Sequence, residues 1–208
     1  MAYGFLRRSL IPKILRRIQV EGVERLPASG PFLLASNHVS YLEPILLSML
    51  LIQRTGQRVY SLTKYPVWKF FHTLGLAEWL GMICVPRVHR EGVVEDTLKK
   101  LRAGFPVIIF PEGTRSFDGT LGRAKTGIAR LALRSGAPVV PVGYIGRPGR
   151  TTLDTFRNYF AHRKEIRIRI GEPRRYAGVA ETHEEYERIT GDVMASIALL
   201  AGRTYAKK

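Results

Sequence analysis

Val107-Ile108-Ile109-Phe110-Pro111-Glu112-Gly113-Thr114-Arg115-Ser116 joins an unbroken apolar run to a turn crowded with polar groups. A strand exposed on one face alternates apolar with polar residues. A strand without that alternation is expected where both faces are covered, as in a parallel sheet between helices. On either side of it, comparable runs recur at Phe32 to Asn37, Arg58 to Lys64, Met82 to Arg87, Val139 to Ile145 and Ile166 to Ile170. Between them Ile45 to Arg54, Val67 to Leu74, Glu91 to Arg102 and Thr126 to Arg134 read as helices, and Glu184 to Leu200 closes the chain as another. The alternation predicts an α/β fold, a single layered domain with a largely parallel mixed sheet flanked by helices. Gly30-Pro31, Gly104 and Gly136 to Pro138 punctuate the elements as loops should. The stretch from Gly146 to Arg163 is the least patterned. With Arg147, Arg150, Arg157 and Arg163 against one acid, Asp154, it reads as a mobile basic loop beside a ligand.

Ahead of the first strand, residues 1 to 20 carry Arg7, Arg8, Lys13, Arg16 and Arg17 with no acid, while Leu6, Leu10, Ile14 and Ile18 recur every fourth residue. This predicts a basic amphipathic helix, interrupted by Pro12, that either lies in a membrane interface or packs on the protein's own core. The expected division is therefore a segment over 1–20 and one domain over 21–208. A chain of 208 residues that is 45% hydrophobic buries a full core as one unit. The lone Cys84 excludes an internal disulfide and reads as a buried strand thiol. No run of about 18 apolar residues is present, so no transmembrane helix is expected. The basic N-terminus lacks an unbroken apolar stretch, which argues against a secretory signal and for the cytoplasmic side.

Thirty-three Lys and Arg against 17 Asp and Glu give a formal net charge of +16, so the partners sought are polyanions: nucleic acid, an anionic leaflet or an acidic carrier protein. Two polar clusters bear on that choice. Ser36-Asn37-His38 ends the first strand and is followed by Val39-Ser40-Tyr41-Leu42-Glu43-Pro44; Pro111 to Ser116 ends another. Strand carboxyl ends are where α/β sheets bind ligands. A histidine there with a carboxylate five residues on suits proton transfer or a structural hydrogen bond. Gly113 exposes backbone N–H groups, Thr114 adds a hydroxyl and Arg115 a fork-shaped cation suited to phosphate or carboxylate. A non-specific nucleic-acid module needs neither cluster, and no zinc-ligand spacing or RNP-type aromatic strand is present.

Taken together, four blocks resemble the glycerophospholipid acyltransferase family, the group that includes 1-acylglycerol-3-phosphate acyltransferases. Asn37-His38 through Glu43 resembles its His-x4-Asp block, with Glu43 in place of the usual aspartate. Gly81-Met82-Ile83-Cys84-Val85-Pro86-Arg87 resembles its second block, Phe110 to Ser116 matches its third without a mismatch, and Val140-Pro141-Val142 resembles its short fourth. The resemblance covers roughly 20–175 and implies an acyltransferase domain over 21–208 that moves a fatty acyl group from acyl-CoA or an acyl-carrier protein to a lipid hydroxyl. The expected acceptor is 1-acylglycerol-3-phosphate, giving phosphatidate; another lysophospholipid or a glycolipid is the alternative. It implies His38 as general base and Glu43 as its orienting acid. Arg87, Glu112, Gly113, Thr114 and Arg115 would bind the acceptor, with backbone N–H groups near Gly113 and Thr114 as candidate oxyanion donors.

Lys125 could reach the same anion or the nucleotide of a CoA donor, or could be a solvated lysine at a helix end. The run Tyr65-Pro66-Val67-Trp68-Lys69-Phe70-Phe71 could line an acyl tunnel, dip into lipid or pack in the core. His72, His89, His162 and His183 share no ligand spacing with Cys or acid clusters, so no metal and no cofactor beyond the thioester co-substrate are expected. Relatives in this family often carry a transmembrane helix, so here attachment to an anionic membrane surface would be peripheral.

Overall fold

In the computed structural model, residues 4, 6–88, 91–118, 120–176 and 178–205 are described. A π-helical turn, Leu6–Leu10, leads into a short helix α1, Ile11–Leu15, and then strand β1, Gln19–Glu21. The chain continues through β2 (Leu33–Ser36), α2 (Leu42–Thr55), β3 (Tyr60–Lys64), α3 (Tyr65–Thr73), β4 (Met82–Val85), α4 (Glu91–Arg102) and β5 (Val107–Ile109). It ends with α5 (Gly127–Ser135), β6 (Val139–Ile145), α6 (Thr152–His162), β7 (Arg167–Ile170) and α7 (His183–Ala201).

The strands form one sheet in the order β1-β7-β6-β2-β5-β3-β4. Every neighbouring pair is parallel except β6 with β7. The expected α/β class and largely parallel sheet are what the structure shows. The unbroken apolar runs have the expected cause: β2 and β5 are buried along their whole length. One core face gathers Phe32, Leu34, Ile108, Val140, Val142 and Ile168 against Leu46, Leu47, Leu50 and Leu51 of α2. The other gathers Leu33, Val107, Ile109 and Val139 against Leu98, Leu101, Ile128, Leu131 and Met194. Helix α2 buries positions spaced three and four apart and stops at Gly56, whose left-handed backbone (φ 69°) lets its N–H reach the Ile52 carbonyl. Helix α7 lies so close to β6 that a Cβ on Gly143 would fall 2.3 Å from backbone atoms of Leu200 and Ala201, so only glycine fits there.

Several local expectations change. The segment read as a mobile loop after Gly146 contains a regular helix, α6, whose start is fixed by a reciprocal capping box between Thr151 and Asp154. The N-terminal basic segment is helical only to Leu15, and β1 pairs in register with β7, so the boundary drawn at residue 20 falls within a strand. Ile11 and Ile18 are buried, and Ile14 and Leu15 pack on the α2 side of the core. Cys84 lies in a strand as expected, but β4 is at the sheet edge and leaves the thiol only partly buried. Finally, no residue of α3 is buried, although its aromatic run includes Trp68, Phe70 and Phe71.

Candidate active site

Parallel strands end on the same edge, so β2, β5, β3 and β4 deliver their succeeding residues to one side of the sheet. His38 comes after β2, Glu112 to Arg115 come after β5, and β2 and β5 are hydrogen-bonded neighbours. Arg87 comes after β4, which is separated from β5 by β3. At about 4.8 Å per strand it stands about 10 Å further along that edge. The fold brings the two central clusters together and leaves Arg87, which is exposed, at the flank.

The first cluster is held from beneath. Asn37, fully enclosed, accepts the Tyr144 N–H through Oδ1 at 2.8 Å and donates from Nδ2 to the Tyr144 carbonyl at 3.0 Å, fixing the end of β2 to β6. His38 then turns out of the strand with its ring stacked on Phe110, centroids 4.3 Å apart. Its Nδ1 lies 2.9 Å from Oε1 of Glu43. Glu43 is inaccessible to solvent, in the first turn of α2, and receives the backbone N–H groups of Val39 and Ser40 on the same oxygen. The Ser40 hydroxyl donates to its other oxygen. Buried carboxylates persist when donors converge on them in this way. Paired with a carboxylate, the imidazole donates from Nδ1, and a neutral ring so paired presents its lone pair at Nε2.

The second cluster is stitched to the first. Glu112 accepts the His38 N–H through Oε1 at 3.0 Å and the Gly122 N–H through Oε2 at 2.8 Å. Burial pushes its carboxyl above the ordinary value, opposed by these two backbone donors. Ser116 N–H donates to the His38 carbonyl at 2.8 Å. Glu112 is thus a brace between backbone segments in this arrangement. The Gly113 N–H is likewise engaged, donating to the Phe110 carbonyl at 2.9 Å, and so is not aimed at a substrate oxygen. Gly113 has φ +65°, and Lys125 lies across it: a Cβ there would come within 3.2 Å of Nζ. That places the Lys125 ammonium on the turn beside Thr114, which is exposed.

Arg115 is held by residues that no sequence pattern groups with it. Its guanidinium stacks over the Tyr41 ring at 3.7 Å and donates through Nη2 to the Tyr41 hydroxyl at 3.0 Å. Nη1 donates to the Gly149 carbonyl at 3.1 Å and the Arg150 carbonyl at 3.4 Å. Gly149 in turn donates its N–H to the Val39 carbonyl, so the segment before α6 closes over the first cluster. Tyr41 sits inside the His38 to Glu43 block, but its partner is 74 residues away. The aromatic and the basic residue were visible; their pairing was not.

A cleft of about 370 Å³ is lined by Ser40 of the loop after β2, by Leu42 of α2, by Tyr144 of β6 and by Asn158, Tyr159 and His162 of α6. Burial, and then the Glu43 charge, push the Tyr144 phenol far above its ordinary value, so it lines the cleft as a neutral group. Among the described residues no three His, Cys, Asp or Glu side chains converge as a metal site, and His89 lies outside them.

Known proteins resemble this chain in sequence and in fold. The 1-acyl-sn-glycerol-3-phosphate acyltransferase BAT2 of Brassica napus is 34% identical over 136 residues, covering 62% of this chain and 38% of its own length. The human 1-acyl-sn-glycerol-3-phosphate acyltransferase alpha is 32% identical over 131 residues, covering 61% of this chain and 44% of its own. The chain therefore spans about two-fifths of the length of these curated relatives. The crystal structure of the acyltransferase PlsC from Thermotoga maritima shares the fold, with a TM-score of 0.63 at 22% identity over 98% of this chain and 84% of that one. The Acyltransferase family model matches residues 17–145, a span that holds His38, Glu43, Arg87, the Glu112 to Arg115 turn and Lys125, and the chain belongs to that family.

Proposed function

We propose that the chain transfers an acyl group from an acyl-CoA or acyl-carrier-protein thioester to the free hydroxyl of 1-acylglycerol-3-phosphate, giving phosphatidate. The observation that carries this reading is the His38–Glu43 pair, with Nδ1 tied to a buried carboxylate at 2.9 Å. The Nε2 lone pair takes the acceptor's hydroxyl proton as its oxygen attacks the thioester carbonyl. The tetrahedral intermediate then expels the thiolate, which leaves with the proton that His38 received. Glu43 holds the tautomer and stabilises the transient imidazolium. Arg87, Arg115 and Lys125 supply positive charge for the phosphate of the acceptor and those of a CoA donor. The names of the relatives and the +16 charge support a phosphate-bearing acceptor on an anionic membrane, with the protein held peripherally at the cytoplasmic face.

One observation favours a second reading, an acceptor without a phosphate: both Nη atoms of Arg115 already donate to protein oxygens. The deciding experiment incubates pure protein with labelled acyl-CoA or acyl-carrier protein and a panel of lysophosphatidate, other lysophospholipids and glycolipid acceptors, and identifies the labelled lipid. Phosphatidate as the dominant product supports the first reading. Preferential labelling of a phosphate-free acceptor replaces it with the second, and no labelled lipid from any pair refutes both.

A further inference from the structure

We propose that helix α6 is the element that seats the site on an anionic lipid surface, an inference that rests on the acyltransferase reading for its purpose but not for its physics. The helix has two unlike faces. At 100° per residue, Thr155, Asn158, Tyr159 and His162 fall on one side, and all four line the cleft beside Ser40 and Tyr144. Leu153, Phe156 and Phe160 fall within about 60° of one another on the other side. They are 77%, 49% and 63% exposed, and Thr155 is the helix's only buried residue. An apolar stripe left in water at this scale calls for a covering surface.

Charge identifies the covering surface. Arg157, within the helix, and Arg150, just before it, are exposed, and Arg163 follows at its end. The one acid within the helix, Asp154, is engaged in the capping box and near Arg157 at 3.5 Å. Leucine and phenylalanine flanked by arginine and lysine are the residues with which a helix lies in a lipid interface against anionic head groups. Position supports this choice, because the Gly149 and Arg150 carbonyls that receive Arg115 lie just before the helix. Lipid met by the outer face of α6 is therefore one helix diameter from the cleft on its inner face. Among the described residues of the N-terminal segment, Ile11 and Ile18 are buried and Leu10 is exposed. Helix α3 exposes Tyr65, Val67 and Phe70 with Lys69 in the helix and Lys64 just before it, and it serves as the comparison surface.

The test compares the whole chain with a Phe156→Asp, Phe160→Asp double variant and with Phe70→Asp. Each is assayed by cosedimentation with phosphatidylglycerol-containing and pure phosphatidylcholine vesicles, and by turnover of a butanoyl lysophosphatidate with butanoyl-CoA free of vesicles. Both changes lie on exposed side chains, and unchanged thermal melts confirm folding. The expected result is wild-type binding that prefers the anionic vesicles, and at least about tenfold weaker binding by the double variant. Its turnover of the soluble pair should stay within about twofold of wild type, and Phe70→Asp should bind as wild type does. Undiminished vesicle binding by the double variant, absence of wild-type binding, or loss confined to Phe70→Asp overturns the proposal. Wild type that binds through Phe156 and Phe160 yet acylates no acceptor refutes the acyltransferase reading and leaves the docking helix standing.

Discussion

Oε1 of Glu43 lies 2.9 Å from Nδ1 of His38 and accepts from the backbone N–H groups of Val39 and Ser40 as well. One oxygen therefore fixes both the histidine's tautomer and the loop that carries it.

His38→Ala should lower acyl transfer at least ~10²-fold, the lower end for loss of a general base. The ring contributes a stack on Phe110 and one bond to buried Glu43, whose Oε1 keeps the Val39 and Ser40 N–H donors, so the variant should still fold with a modestly lowered melting temperature. Near-normal turnover in the folded variant contradicts the assigned role.

Glu43→Gln should fail on two counts, because its amide nitrogen faces donors and it cannot hold the imidazole as the carboxylate does. Activity is expected to fall by up to roughly 10⁴-fold, and stability by about 1 to 3 kcal/mol per donor left unsatisfied. Glu43→Asp keeps the charge but shortens the reach by about 1.5 Å, so partial activity should remain. Rates and melts on the two variants separate charge from geometry; equal rates for Gln and wild type would reduce Glu43 to a loop anchor.

Arg115→Lys should not rescue Arg115→Ala, since an ammonium cannot meet the Tyr41 hydroxyl and the Gly149 and Arg150 carbonyls at once. With lysophosphatidate as acceptor, its KM should rise more than the donor's in both variants. A KM effect confined to the donor would move Arg115 to the thioester side.

Glu112 gives a pH dependence whose sign is set by burial. Its carboxyl titrates above the ordinary value in the folded protein. From about 4.3, the value for free glutamate, up to the raised value, the folded state binds more protons than the unfolded one. Stability from this group therefore falls as pH rises through that window and is level above it. Glu112→Gln should remove this slope from a series of urea midpoints between about pH 4 and pH 8. An unchanged slope would place its origin elsewhere.

Much of the sheet was legible because its signal is local. Val107 to Ile109 and Val139 to Ile145 advertise burial on both faces by being apolar throughout. Helix α6 was missed although Leu153, Phe156 and Phe160 stand at helical spacing, because the glycine, proline and arginines that precede and interrupt the stripe read as a basic loop. Its start was nonetheless written in Thr151 and Asp154. At the site, the His38–Glu43 spacing was readable from six consecutive residues. The Asn37 link to Tyr144, the Glu112 brace and the Tyr41–Arg115 stack were not, since each joins residues 74 or more apart. Such pairings are set by strand order, which composition and periodicity do not encode.

The brace from Glu112 to His38 also fixes when the site can exist during synthesis. A nascent chain carries His38 and Glu43 together early, yet the backbone of His38 has no partner until Glu112 emerges, 74 residues later. The floor beneath it waits for Tyr144, a further 32 residues on, given separations of 107 and 74 residues from neighbouring positions 37 and 38. At about 5 to 20 residues per second, seconds pass in which the ribosome holds the base and its acid but no assembled centre. Fragments ending before β6 are thus expected to be inert, and the chain stays silent until most of its sheet has been made.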